Sequence, residues 1–174
     1  MKSFKFFWTA HKWTGIALAA VFACTAVTGF LLVVKKRFEW IQPPTVKGAP
    51  GEMRDFITNQ RLFDAVLSHD HPDFKSMDDI DRVDFRPRDR TFKVTSLHNY
   101  AEIQVCAITG EVLHVAWRPS DLFEDIHDGS CFGEWFHQWV MPLVACGLMF
   151  LVCSGLWLWI EPIVRRRRRK ARTT

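Results

Sequence analysis

Several signatures that would assign a chemistry are missing from this chain. Its five cysteines form no Cys-x-x-Cys or Cys-x-x-Cys-His pair, which excludes covalent attachment of a c-type haem. No glycine-rich phosphate loop, Gly-x-Ser-x-Gly elbow or His-Glu-x-x-His helix is present, so the P-loop, serine-hydrolase and zincin readings have no support. No Ala-x-Ala site follows the first apolar segment, and that segment is too long for the core of a signal peptide. It is expected to stay in the mature chain. Val21-Phe22-Ala23-Cys24 is a poor lipoprotein box, because Phe22 is bulky and Cys24 lies in mid-segment.

Charge is missing from two long stretches. Trp13 to Val34 has no acidic or basic residue, and neither has Trp135 to Ile160, which Glu134 and Glu161 bound. A helix needs about 20 apolar residues to cross roughly 30 Å of hydrocarbon, and it satisfies its backbone hydrogen bonds internally, as lipid requires. Two membrane spans are predicted, with the lipid bilayer as the first partner.

The charges that are present are segregated. Between Phe38 and Gly133 stand 17 acidic and 10 basic residues, a net of −7 within a chain of net +4. Lys2, Lys5 and Lys12 precede the first span, and Arg165 to Arg169, Lys170 and Arg172 follow the second. Lysine and arginine near span ends mark the cytoplasmic side. Lys35, Lys36 and Arg37 oppose that assignment but are outnumbered. Both termini are therefore expected inside and the acidic middle outside. The arginine run beside a span reads as a topology anchor that attracts anionic lipid, and no nucleic-acid partner is expected.

The expected organisation is a cytoplasmic lead over 1–12, a first span over 13–34, a linker over 35–50, and a folded domain over 51–118. A juxtamembrane helix over 119–133, a second span over 134–161 and a basic tail over 162–174 complete it. Pro43-Pro44 and Gly48-Ala49-Pro50 mark the linker. Phe56, Ile57, Leu62, Phe63, Val66 and Leu67 recur at helical spacing and predict a helix from Glu52 to Ser68. Four strands follow, over Ile80–Arg86, Thr91–Leu97, Ala101–Ile108 and Glu111–Trp117, with Thr109-Gly110 as a two-residue hairpin signal. The fold class is thus an α+β extramembrane domain, a helix plus a four-stranded antiparallel sheet, on two transmembrane α-helices. Small residues in the spans, Gly147 and Gly155 among them, suit close helix contact. Pro142 stands near the start of the second span, where proline is tolerated.

Cys24, Cys146 and Cys153 fall within spans, where a thiol behaves as a small apolar group. Cys106 and Cys131 fall on the oxidising side, where a disulfide between them is open. His69-Asp70-His71-Pro72-Asp73 contains metal-ligand chemistry, but two histidines two residues apart in a turn diverge, so a solvated turn is expected and no metal site. His98 and His114 read as surface or sheet-face residues. His11, His127 and His137 lie in or beside the spans, where an ionisable group is costly and is a functional candidate by default. Against that stands an interfacial role, with His137 among Trp135 and Trp139 in an aromatic belt.

Four elements together carry a resemblance. Val105-Cys106-Ala107-Ile108-Thr109-Gly110-Glu111-Val112-Leu113 resembles the closing hairpin of a PepSY domain. Ile126-His127-Asp128-Gly129 with Phe132-Gly133 resembles the Leu-His-Thr-Gly element of PepSY-associated transmembrane proteins. Ser154-Gly155-Leu156-Trp157-Leu158-Trp159 is similar to the end of their following span, and His11-Lys12-Trp13-Thr14-Gly15 to their His-Arg-Trp-x-Gly start. The resemblance implies a bacterial inner-membrane protein of two passes with a periplasmic PepSY-like domain. Its larger members include ferric-siderophore reductases that carry b-type haem on intramembrane histidines. By that analogy His11, His127 and His137 are the candidate haem b ligands, and no residue is assigned a catalytic role. This chain has no nucleotide or flavin fingerprint, so electrons would come from elsewhere. The preferred expectation is a non-catalytic accessory or partner-binding subunit, working as a homodimer or within a larger membrane-protein complex. A haem-binding electron-transfer protein is the alternative. His11 and His137 stand at opposite ends of their spans and cannot share a haem within one chain.

Overall fold

The computed structural model describes residues 2–172. The chain divides into two compact units, residues 1–29 with 125–174 and residues 30–124.

Within the first unit, helix α1 (Lys2–Val34) and helix α4 (Met141–Lys170) are antiparallel neighbours. His11 meets Ser154, Gly15 meets Leu151 and Leu18 meets Gly147, while Phe4 and Phe7 pack against Trp157 with their rings tilted. Each step forward on one helix is matched by a step back on the other. Helices of 33 and 30 residues are roughly 45–50 Å long, longer than the hydrocarbon layer. Phe30, Val33, Leu143, Met149, Val152, Leu156 and Trp159 are exposed along them. A soluble core helix would bury such side chains, and water would penalise them. Lipid removes the penalty. The lead that was expected to precede the first span is the first turns of α1 itself. Ahead of α4, Phe136–Val140 form a π-turn, a local widening of the kind that accompanies inserted residues. Pro142 follows it directly, and its missing N–H withdraws a donor from the carbonyls of that widened turn. Pro162 lies inside α4 and removes the donor that the Leu158 carbonyl would otherwise use.

The second unit holds helix α2 (Asn59–Leu67) and strands β1 (Ile80–Arg86), β2 (Thr91–Ser96), β3 (Ala101–Cys106) and β4 (Val112–Trp117). They form one antiparallel meander in the order β1-β2-β3-β4. Helix α3 (Pro119–Asp128) leads out. Register places Val83, Phe85, Phe92, Val94, Ile103 and Val105 on one face, because alternate residues share a face. Leu62 and Val66 of α2, with Phe74, pack on that face and form the apolar core.

The larger shifts from the predicted boundaries have local reasons. The helix expected from Glu52 starts only at Asn59, because Ile57 gives its N–H to the Ala107 carbonyl and Thr58 caps Arg61 N–H with its side chain. Residues Met53–Asp55 form a separate 3-10 turn. The Thr109-Gly110 hairpin is longer than two residues. Cys106 N–H bonds Glu111 O and Gly110 N–H bonds Cys106 O, so four residues span the turn, with Gly110 at φ 77° where a side chain is disfavoured. The β2–β3 turn uses Asn99 and Tyr100, both with positive φ, as a type I′ turn matched to strand twist. Cys106 and Cys131, the pair left open for a disulfide, fall in different units. Both are free thiols, the first buried and the second exposed.

The opposite face of the sheet is polar and also buried. Thr91, Lys93, Thr95, Glu102 and Gln104 are at most 2% exposed. Residues 41–50 run over them as an extended strap: Gln104 donates to Pro44 O (2.9 Å) and accepts from Val46 N–H (2.8 Å), and Thr91 Oγ1 donates to Val46 O (2.6 Å). Glu102 sits at the centre. Its carboxylate accepts from Lys93 Nζ at 3.2 Å, Gln104 Nε2 at 2.7 Å and Arg118 Nη1 at 2.8 Å. Arg118 also pairs with Asp121 (3.2 Å), which pairs with Arg82 (2.7 Å).

Breaking a buried ion pair from one side costs about 3–5 kcal/mol, because the remaining charge stays desolvated. Glu102→Leu is therefore expected to lower the stability of the full chain by about that amount in denaturant unfolding followed by tryptophan fluorescence. Glu111→Gln on the exposed hairpin should stay within about 0.5 kcal/mol.

Candidate functional site

His11, His127 and His137 all belong to the helical unit, and each ring is fixed through Nδ1. His11 Nδ1 lies 2.8 Å from Ser154 Oγ. Ser154 spends its own proton on the Phe150 carbonyl at 2.6 Å, so His11 must donate. His127 Nδ1 lies 3.0 Å from the Thr25 carbonyl and 3.1 Å from Thr28 Oγ1. A carbonyl only accepts, and Thr28 donates to Cys24 O at 2.9 Å, so His127 also carries its proton on Nδ1. His137 Nδ1 lies 2.9 Å from the Asp128 carbonyl, with the same consequence. In the neutral ring, all three imidazoles hold Nδ1–H toward the protein and leave the Nε2 lone pair uncommitted among the described residues. Metal-bound histidines show that arrangement, since the second nitrogen fixes tautomer and orientation.

The small residues of the spans seat two of these rings. A Cβ at Gly29 would lie 3.0 Å from His127 Cε1, and one at Gly155 would lie 3.3 Å from His11 Cε1. Gly147 faces Leu18 instead, in the helix-contact role expected for both glycines.

The histidines are not assembled around one point. The His127 seat at Thr25 and Thr28 is 14 to 17 residues beyond His11 on α1, roughly 21–25 Å at 1.5 Å per residue. His127 and His137 do share a neighbourhood. His137 bonds the backbone of the residue that follows His127, across the bend at Gly129 (φ 80°) and Gly133 (φ 95°). Free Nε2 atoms fit imidazole ligation of a haem iron. Their placement does not allow His11 and His127 of one chain to share a macrocycle. Among the described residues, no group of three or more His, Cys, Asp or Glu converges as a metal site. His71 of the acidic turn accepts Asp73 N–H at 3.2 Å and sits against Phe74.

The domain contributes features that sequence reasoning did not single out. His114, expected at the surface or on a sheet face, has a buried Nδ1 with no hydrogen-bond partner among the described residues. It lines a groove with Glu39, Trp40, Pro43, Pro44, Ala116 and Trp117. Trp40 and Trp117 are 62% and 58% exposed. On the other side of Pro43 and Pro44 is a cleft of about 360 Å³ lined by Lys36, Gln42, Thr45, Arg86, Asp89 and Lys93. Cys106 Sγ accepts N–H from Ala49 (3.3 Å) and Thr109 (3.4 Å). Burial alone would push this thiol up, but the hydrogen bonds from Thr109, Ala49 and Ile108 outweigh it and leave its pKa lowered. The cue for these features was the pair of proline clusters in the linker, which mark extended backbone.

The model of the PepSY-associated TM region matches residues 8–174. The chain belongs to that family. Two helices long and apolar enough to cross a membrane agree with it, and the chain is a PepSY-associated membrane protein. No curated protein matches it.

Filling the His127 seat tests how tightly the helical unit is packed. Overpacking a close contact costs about 1–3 kcal/mol. Gly29→Val is expected to lower the thermal unfolding temperature of the full chain in detergent micelles, and pairing it with His127→Ala should recover part of the loss.

Proposed function

We propose that this chain is a two-span anchor that presents a PepSY-like domain to a partner protein, acting as a non-catalytic accessory subunit of a membrane complex. The positive-inside balance supports an orientation with both termini cytoplasmic and the domain periplasmic. One observation carries the partner-binding reading, namely the contrast between the two borders of the sheet. β1 carries Asp81, Arg82, Asp84 and Arg86, charges that blunt an edge against further pairing. β4 is Val112-Leu113-His114-Val115-Ala116-Trp117, with no charge at all.

The bond from Arg118 N–H to Tyr100 O sets the phase of that edge. With the pairs His114–Gln104 and Ala116–Glu102, the backbone groups of His114, Ala116 and Arg118 face β3, and those of Val115 and Trp117 face outward. An extended segment of a partner can add there as a fifth strand, with its alternate side chains in the groove between Trp40, Trp117 and the Pro43-Pro44 pair.

A photo-crosslinking residue replacing Trp117 is expected to give a discrete higher-mass adduct in native membranes. The same probe at Asp84 should give none. Val115→Pro, which removes an outward N–H and leaves the β3 ladder intact, should abolish the adduct. Absence of any adduct at position 117, or equal adducts at both positions, would sink the reading.

The second reading is a b-type haem protein, and the uncommitted Nε2 atoms of His11, His127 and His137 favour it. When bound, a haem would supply one-electron redox chemistry, and a pair of imidazoles drawn from His11, His127 and His137 would hold and orient it. Two ligands on one haem require either His127 with His137 or contributions from two copies. Purified full chain should then show a Soret band that shifts on dithionite reduction and weakens in His11→Ala or His127→Ala. A featureless visible spectrum removes this reading.

A further inference from the structure

The cleft beside the strap has the charge and the spare hydrogen-bonding capacity of an anion site. It lies within a region, residues 35–133, whose ionised residues sum to −4, yet its wall carries three cations, Lys36, Arg86 and Lys93, against one acid, Asp89. Lys93 is 2% exposed, and a lysine is seldom buried without a compensating partner. Its partner among the described residues is Glu102 at 3.2 Å, and Glu102 is also held by Gln104 and Arg118. Lys93 thus ends the chain of alternating charges that runs through Glu102, Arg118, Asp121 and Arg82. An ammonium has three donors, so two remain after Glu102 is served.

Gln42, on the same wall, has a buried Oε1 with no hydrogen-bond partner among the described residues. It accepts from a ligand hydroxyl as placed, or donates to an oxyanion with the amide turned over. Arg86 has only a loose ion pair, 3.8 Å to Asp84. Pro43 and Pro44 supply apolar wall and Thr45 a hydroxyl-bearing one. The cleft falls in the size range of small-molecule sites, about 300–1,000 Å³, and exceeds what a bare ion fills.

We propose that the cleft between the strap and β1–β2 binds a phosphate ester: the phosphate is held by Lys93, Arg86 and Lys36, and its polar substituent lies along Gln42 and Thr45. A soluble phosphate ester and a phospholipid headgroup share this chemistry.

Isothermal titration calorimetry of the full chain in maltoside micelles separates the sources. One arm titrates glycerol 3-phosphate, the other short-chain phosphatidylglycerol. Saturable heat in the first arm assigns a soluble ester, and saturable heat in the second arm alone assigns a headgroup. In either case Lys36→Gln with Arg86→Gln should weaken binding at least about tenfold, the scale of a lost charge-assisted hydrogen bond. Removing two cations that do not line the cleft, Arg37→Gln with Arg88→Gln, should weaken binding several-fold less, since it removes exposed, partly screened charge and no lining donor. The proposal falls if neither arm saturates, or if the two double variants weaken binding equally. Both variants alter exposed side chains and leave Lys93 and its network in place, so loss of binding would not reflect loss of the fold.

Discussion

A single carboxylate holds the extramembrane domain in its observed form. Glu102 is fully buried and receives three hydrogen bonds, two of them from cations. Without it, Lys93 and Arg118 would be buried charges with no central counter-ion, a state several kcal/mol less favourable. With it, the polar face of the sheet becomes coverable. The strap can then lie across Gln104 and Thr91, and its backbone finds partners there. The two clefts on either side of Pro43 and Pro44 exist because the strap crosses the sheet. The partner-binding reading and the anion reading both depend on that crossing.

The helical unit follows a different rule. Lipid-facing positions need only be apolar, so specificity resides in the few polar contacts between helices. Ser154 and Thr28 each satisfy their hydroxyl proton within their own helix and offer oxygen to a histidine. The imidazoles therefore have a defined tautomer with or without a ligand. Ordered, proton-defined rings suit two uses equally: cross-helix fasteners and ready-made ligands. The haem reading rests on the second of these uses.

Much of this was legible in the residues. The uncharged runs locate both spans, and alternation in Phe92, Val94, Ile103 and Val105 identifies the core face of the sheet. The β1 bounds, Ile80–Arg86, agree with expectation. What escaped is what depends on distant segments. Polar positions such as Lys93, Glu102 and Gln104 look solvent-facing by alternation. They are buried because a strap some 60 residues away in sequence from Gln104 folds over them. The start of α2 was misplaced for the same reason, since Ile57 is claimed by Ala107 from across the domain. The three histidines were visible as candidates, but their hydroxyl and carbonyl partners, and hence the tautomers, were not.

The unequal borders of the sheet have a consequence for assembly. Strand addition at an unguarded border usually risks open-ended growth, each newcomer exposing a fresh border for the next. Here the β4 border carries no charge, whereas β1 carries Asp81, Arg82, Asp84 and Arg86. Two copies meeting through β4 would bury both receptive sides and leave only guarded ones, so the assembly would stop at a closed pair and could not polymerise into a fibre.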